Sequence, residues 1–199
     1  MASTSQASGF LPVNDQTGEL RFSGPGYAIA SGYAQNIFKG DPVKWHTDGT
    51  IQLATSDGTR SGTTDGENLL GIFQGVQYRN AQNAIVQSNY WPSGTVATAI
   101  QAYVIVPRST KIRVQFANPS PGTTVQGFVN GQCDWRPNES PAGSTVTGIS
   151  KTYLTAKQAT RGQFIIDSFD PGTPLTDAFI DAFVYINEHD LSAAVNTVS

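Results

Sequence analysis

The side chains able to do chemistry are few, and their spacing favours no reaction. There are two histidines, His46 and His189. A histidine-based catalyst also needs a nucleophile and an orienting carboxylate within reach. His46 has Asp48 close by, in a segment that reads as a hairpin tip, so an exposed turn histidine is expected. His189 lies between Glu188 and Asp190, a local ion cluster without zinc-ligand spacing. Cys133 is the single cysteine, so no intramolecular disulfide forms. With no neighbouring His or helix N-terminus to lower its pKa, it reads as a small buried hydrophobe. Asp57-Gly-Thr-Arg-Ser-Gly-Thr-Thr-Asp65-Gly66 is acidic and glycine-rich. Calcium loops alternate Asp or Asn and end in Glu, whereas this stretch has the wrong spacing and Arg60 inside it, so a polar surface loop is expected. No Gly-Lys-Ser/Thr phosphate loop occurs. Paired carboxylates for glycoside cleavage would meet only in space, and nothing in the sequence singles out a pair. Trp45, Tyr90 and Trp91 remain as a candidate sugar-stacking platform, set against the ordinary role of aromatics in a β core. The expectation is no catalytic residue, no metal and no cofactor.

The elements that would carry these groups are strands. Gly71-Ile-Phe-Gln-Gly-Val-Gln-Tyr78 alternates, with Ile72, Val76 and Tyr78 on one face and Phe73, Gly75 and Gln77 on the other. Ser88-Asn-Tyr-Trp-Pro-Ser-Gly-Thr95 adds a short strand and a turn, with proline fixing φ and glycine free to take positive φ. Pro42–Trp45 and Ile51–Ala54 flank an Asp-Gly turn and predict a hairpin. Tyr27–Ala30, Ala84–Ser88 and Tyr103–Val106 read as further strands. Lys111-Ile-Arg-Val-Gln-Phe116 predicts Ile112, Val114 and Phe116 inward, with Lys111, Arg113 and Gln115 in water. Ser56–Gly66, Pro107–Thr110 and Pro137–Gly143 read as loops or turns. Beyond a Pro/Gly boundary near 117–124, Val125–Val129 pairs with Cys133–Trp135 across Asn130-Gly131. Thr145–Ile149, Thr152–Thr155, Gln163–Phe169 and Ala182–Asn187 complete the strands. Leu175–Asp181 is read as either a helical turn or a loop.

The fold class is therefore all-β: a β-sandwich or barrel-like body over 27–199, with an extended N-terminal arm over 1–26. The two halves echo one another. Gly40–Trp45, Gly71–Tyr78 and Ile85–Trp91 run parallel to Gly131–Trp135, Gln163–Phe169 and Ala182–Asn187. One continuous sandwich and two barrels both fit this pattern. The arm is rich in Ser, Thr, Gln and Gly with one apolar cluster, Phe10-Leu-Pro-Val13, and either stays disordered or orders when Phe10, Leu11 and Val13 dock on a neighbour.

Composition narrows the partners. Charged residues make up 14% of the 199, well below the roughly 25% usual for soluble domains. The remaining polar surface is rich in Ser, Thr, Gln, Asn and Gly, is cheap to desolvate and suits large permanent protein contacts. A net charge of −3 without a basic run gives nucleic-acid binding no electrostatic footprint. No apolar run approaches the roughly 20 residues that cross a bilayer, and with no charged n-region followed by an apolar h-region no secretory signal is expected. Synthesis in a reducing cytosol follows, and Asn138-Glu-Ser140 is then an inert glycosylation triplet.

Several segments together resemble a family. They are Ser31-Gly-Tyr33, Phe38-Lys-Gly-Asp-Pro-Val43, Leu69–Tyr78, Ser88-Asn-Tyr-Trp91, Ala102-Tyr-Val104, Gly148-Ile-Ser150, Tyr153-Leu154 and Val184–His189. Their order is similar to that of tailed-bacteriophage capsid decoration proteins, the head-stabilising or cement proteins. The family's acidic turn after the Ala-Tyr-Val strand is replaced by Pro107-Arg-Ser-Thr110. The resemblance implies a β-rich structural protein of the virion on the outer surface of the capsid, with the major capsid protein as partner. It implies no catalytic residues. Self-association is expected as a homotrimer closing about a threefold axis, or as a dimer across a twofold. Phe10, Leu11, Val13, Tyr90 and Trp91 are the expected interface residues. The alternatives are a carbohydrate-binding surface module of the virion and a tail or head–tail connector component.

Overall fold

A computed structural model describes residues 8–13, 26–54, 69–106, 110–118, 125–136, 142–157, 162–173 and 176–187. The Asp57–Gly66 loop, the Pro107 turn and His189 fall largely or wholly outside them.

The chain is all-β. Its strands are β1 (Leu11–Pro12), β2 (Ile37–Phe38), β3 (Pro42–Trp45), β4 (Ile51–Leu53), β5 (Gly71–Arg79), β6 (Ile85–Ser88) and β7 (Tyr90–Trp91). They continue as β8 (Thr98–Ile105), β9 (Ile112–Ala117), β10 (Gln132–Arg136), β11 (Tyr153–Lys157), β12 (Phe164–Phe169) and β13 (Phe179–Ile186). The hairpin of β3 and β4 forms as the Asp-Gly turn predicts, with Trp45 opposite Ile51 and Gly49 at φ +82°. Pro92-Ser-Gly94 turns as expected, with the Thr95 amide donating to the Pro92 carbonyl and Gly94 at φ +72°.

The halves share one topology. In the second, β9 pairs antiparallel with β13 and in parallel with β11; β10 joins β11 to β12, and β12 returns to β13. Five strands thus close a barrel in the order β9-β11-β10-β12-β13. In the first half, Tyr27 bridges Ala102 of β8 antiparallel and Ile29 bridges Ile51 of β4 in parallel. Strand β3 joins β4 to β5, and β5 pairs with β8. The same cyclic order results, with the segment around Tyr27–Ile29 standing where β9 stands. The echo of Gly40–Trp45 with Gly131–Trp135, and of Gly71–Tyr78 with Gln163–Phe169, matches β3 with β10 and β5 with β12. The third pairing is corrected: β8, not Ile85–Trp91, is the counterpart of β13, and β6–β7 is an insertion of the first half.

Each half also bulges at the same place. Phe73 faces Val104 and Gly75 faces Tyr103, leaving Gln74 as the extra residue. Ile166 faces Val184 and Ser168 faces Phe183, leaving Asp167 extra. A bulge inverts the alternation beyond it. Phe73 therefore joins Val76 and Tyr78 in the first core, while Ile72 enters the second. The unbroken alternation read from the sequence is overturned at that point.

Three further expectations are corrected. Val125–Val129 holds a short 3-10 turn at Gln126–Phe128 instead of a strand, because Phe128 packs on Phe116. Thr145–Ile149 is a turn: Gly148 takes φ +72° and its amide donates to the Ser144 carbonyl, leaving Val146 at the exposed tip. Gln115 is buried instead of facing water, although Ile112, Val114 and Phe116 do face the core. Strand β13 begins at Phe179, so the end of the Leu175–Asp181 segment is strand.

The N-terminal residues complete the second barrel. Leu11 and Pro12 pair with Arg113 and Ile112 on the edge of β9 whose far end meets β11. Phe10 is fully buried and stacks on Phe164 at 4.6 Å. Residues 8–13 are thus built into the body and are not a separate arm.

Candidate functional site

The residues singled out from the sequence are not brought to one surface. Phe10 is held in its own chain's core, and docking it on a neighbour would first require extracting it. Leu11 is 37% exposed and Val13 half-buried, with the Val13 amide donating to the Lys111 carbonyl. Trp91 is fully buried and meets Tyr78 edge-on at 5.4 Å. Tyr90 stacks on Phe38 at 5.5 Å and is half-buried. Trp45 is exposed, edge-on to Tyr27. The expected platform of Trp45, Tyr90 and Trp91 is therefore absent, because Trp91 is needed as filling for the first core. His46 is an exposed turn residue with Nδ1 2.8 Å from Asp48 Oδ1, as anticipated. The hydroxyl and amide of Thr50, together with His46, hold the Asp48 carboxyl at about 2. Cys133 is buried in the second core. Among the described residues, no group of three or more His, Cys, Asp and Glu side chains is placed to hold a metal ion.

Two places stand out instead. The first is the seam between the barrels, where three chain segments cross. The Phe10 amide donates to the Gly40 carbonyl, the Lys39 amide to that of Gly148, and the Ser150 amide to that of Lys39. Backbones approach so closely that a Cβ on Gly9 would lie 2.7 Å from the Ser150 Cβ. At this crossing Asp41 is 1% exposed, with Ser150 and Thr152 equally buried. Its Oδ2 accepts the Phe38 amide at 2.8 Å, while Oδ1 has no partner. Burial lifts this carboxyl to about 7, against the opposing pull of the Ser150 hydroxyl and the Phe38 amide. Ser150 and Thr152 share a 2.9 Å hydroxyl contact beside it. No nucleophile–base geometry results, since the Asp41 carboxyl is shut away from solvent and no His accompanies it.

The second is the outer face of the sheet formed by β8, β5 and β6. Register places Gln101, Gln77 and Gln87 side by side in one row. Gln87 Nε2 donates to Gln77 Oε1 at 3.0 Å. Next to them, Gly75 faces Tyr103 and leaves a hollow of about 440 Å³ reaching Ser88 and Asn89. Strand β6 pairs with β5 alone, so its other edge carries free backbone groups among the described residues, and Ile85 on it is 59% exposed. Strand order, bulge and register produce this surface, and no sequence motif marks it. The sequence places Gln74, Gln77, Gln82 and Gln87 at irregular spacing, so no local pattern marks the row.

Comparison with protein-family models, with curated proteins and with solved structures finds no match.

Proposed function

We propose that this chain is a structural virion protein that binds the outside of the major capsid shell and stabilises the head. The observation that carries the reading is the uncharged row Gln101, Gln77 and Gln87, ending in the unpaired edge β6. Neutral amides lose less on leaving water than charges do. An unguarded edge strand offers a ready template for pairing with another chain. The resemblance of the segment order to that of capsid decoration proteins, read from the sequence alone, favours the same reading. Two barrels fastened at the Asp41 seam make a rigid clamp, and many repeated weak contacts on a shell give avidity. Copies closing heterologously about a threefold axis make a trimer, and a twofold makes a dimer.

The test is electron cryomicroscopy of particles carrying this protein, with the copies counted and placed. Copies at threefold or twofold positions outside the shell are expected. Copies confined to a vertex or the tail would refute decoration and assign a connector. Ile85→Lys sets a charge on the open edge without touching either core, and should release the protein from shells while leaving its unfolding transition unchanged. Undiminished binding by Ile85→Lys would move the contact away from β6.

A further inference from the structure

The two barrels are an internal experiment, because the same bulge is finished in two ways. In the second barrel the extra residue, Asp167, accepts Lys111 Nζ at 2.7 Å and the Ser168 hydroxyl at 2.8 Å. Lys111 also lies 5.8 Å from the ring centres of Phe183 and Tyr185. That bulge is closed by its own chain. In the first barrel the extra residue is Gln74, whose Nε2 is buried without any hydrogen-bond partner. Tyr103 stands where Phe183 stands in the second barrel. Where the second barrel has an ion pair, the first has the hollow of about 440 Å³.

Its far wall is an addition. Gln87, Ser88 and Asn89 belong to the β6–β7 insertion, which has no counterpart among the described residues of the second barrel. Gly75 keeps the floor low: it sits at φ +141°, and a Cβ there would lie 3.0 Å from the Ser88 carbonyl oxygen. The hollow is lined by Gln74, Gln87, Ser88, Asn89 and Tyr103 beside Gly75 and Val76, with no charged side chain; the Gln74 amide nitrogen lies buried behind this lining. Amides and hydroxyls supply donors and acceptors together. A charged ligand would find no counter-ion here, and an apolar one would leave these groups unpaired. A ligand dense in neutral hydroxyls satisfies both kinds, and Tyr103 offers a ring for its apolar face.

We propose that this hollow is a binding site for a neutral saccharide, with Gln74, Gln87 and Asn89 as its polar contacts and Tyr103 as its stacking surface. The site is distinct from the aromatic platform expected from the sequence; it shares Gln87 with the face proposed to meet the shell, so it is tested on the free chain. The Gln74 amide nitrogen, buried and unpaired, gains a partner only when its side chain turns toward the hollow, and the paired counterpart in the second barrel shows what closing the same bulge looks like.

The test titrates the full chain with short neutral oligosaccharides of glucose, mannose, galactose and N-acetylglucosamine, by calorimetry and by saturation-transfer NMR. A sialylated and a sulfated oligosaccharide serve as charged counterparts. Saturable binding of a neutral sugar is expected. Gln74→Ala and Gln87→Ala should each weaken it roughly tenfold, the loss of one polar contact. Gln87 is exposed, so its variant reads the site even if Gln74→Ala disturbs the bulge. Asp167→Asn in the second barrel should leave sugar binding unchanged. Failure of every neutral sugar, preference for a charged one, or binding that survives both glutamine variants would overturn the proposal. Loss of shell binding in Gln74→Ala with no sugar bound would also overturn it, and would assign the hollow to the capsid contact.

Discussion

Asp41→Asn should reverse its effect on stability between acid and alkaline pH. The carboxyl is buried at the seam, and its pKa moves from 3.8 to about 7. Between these values the folded chain keeps a proton that the unfolded chain has released. Stability therefore falls as pH rises through that window and levels off above it. A shift of about three units corresponds to a loss of at most about 4 kcal/mol at 1.36 kcal/mol per unit. Asparagine does not titrate, so the variant lacks this slope. Its amide can keep the Phe38 contact through oxygen, but its NH₂ then stands where Oδ1 has no partner. The protonated wild-type carboxyl leaves one O–H at the same place, so the added cost is that of the second N–H, roughly 1–3 kcal/mol at low pH. The variant should thus be the less stable protein near pH 4 and the more stable one near pH 8. The assay is denaturant unfolding of both proteins across that range, read as the difference between them, so that other titrating groups cancel. Parallel profiles, or a wild type that gains stability relative to the variant as pH rises, would refute the reasoning.

Other outcomes follow from the packing. Phe10→Ala should destabilise the second barrel by about 3–5 kcal/mol, the usual cost of emptying a buried aromatic site, and deletion of residues 1–26 should do at least as much; thermal unfolding checks both. Gly9→Ala should cost clearly more than Gly32→Ala in the same measurement. Both glycines have positive φ, but only the Cβ at position 9 meets backbone and Ser150, whereas nothing lies within 4 Å at position 32. Asp167→Asn should change stability by less than about 1 kcal/mol, because the Lys111–Asp167 pair is partly exposed and screened; a larger loss in denaturant titration would show that the pair is shielded from water.

Local chemistry was legible in the sequence wherever neighbours in the chain decide the outcome. The Asp-Gly hairpin, the Pro92 turn, the inward set Ile112, Val114 and Phe116, and the exposed His46 all follow from nearby residues. Thr145–Ile149 misled because β-branched residues suggest a strand, while Gly148 at positive φ and the Ser144 contact close a turn there. Trp91 and Phe10 misled because a short apolar cluster in a polar stretch reads alike whether it fills a core or an interface. The duplication was visible in its first two correspondences. The third failed because β6–β7 interrupts the sequence between β5 and β8 without breaking their pairing.

The sequence by itself determined an all-β chain of weak charge, with a single thiol and no spaced set of catalytic groups. These follow from composition and from the period of two, which need no knowledge of distant contacts. The tertiary structure alone decided that two barrels of one topology share a seam, that Asp41 is sealed inside it, and that Phe10 fills the second core. It also decided that one bulge is closed by Lys111 while its counterpart leaves Gln74 beside an open hollow. Each of these depends on pairing between strands far apart in the chain, where register sets which side chains meet, and no local pattern encodes that register.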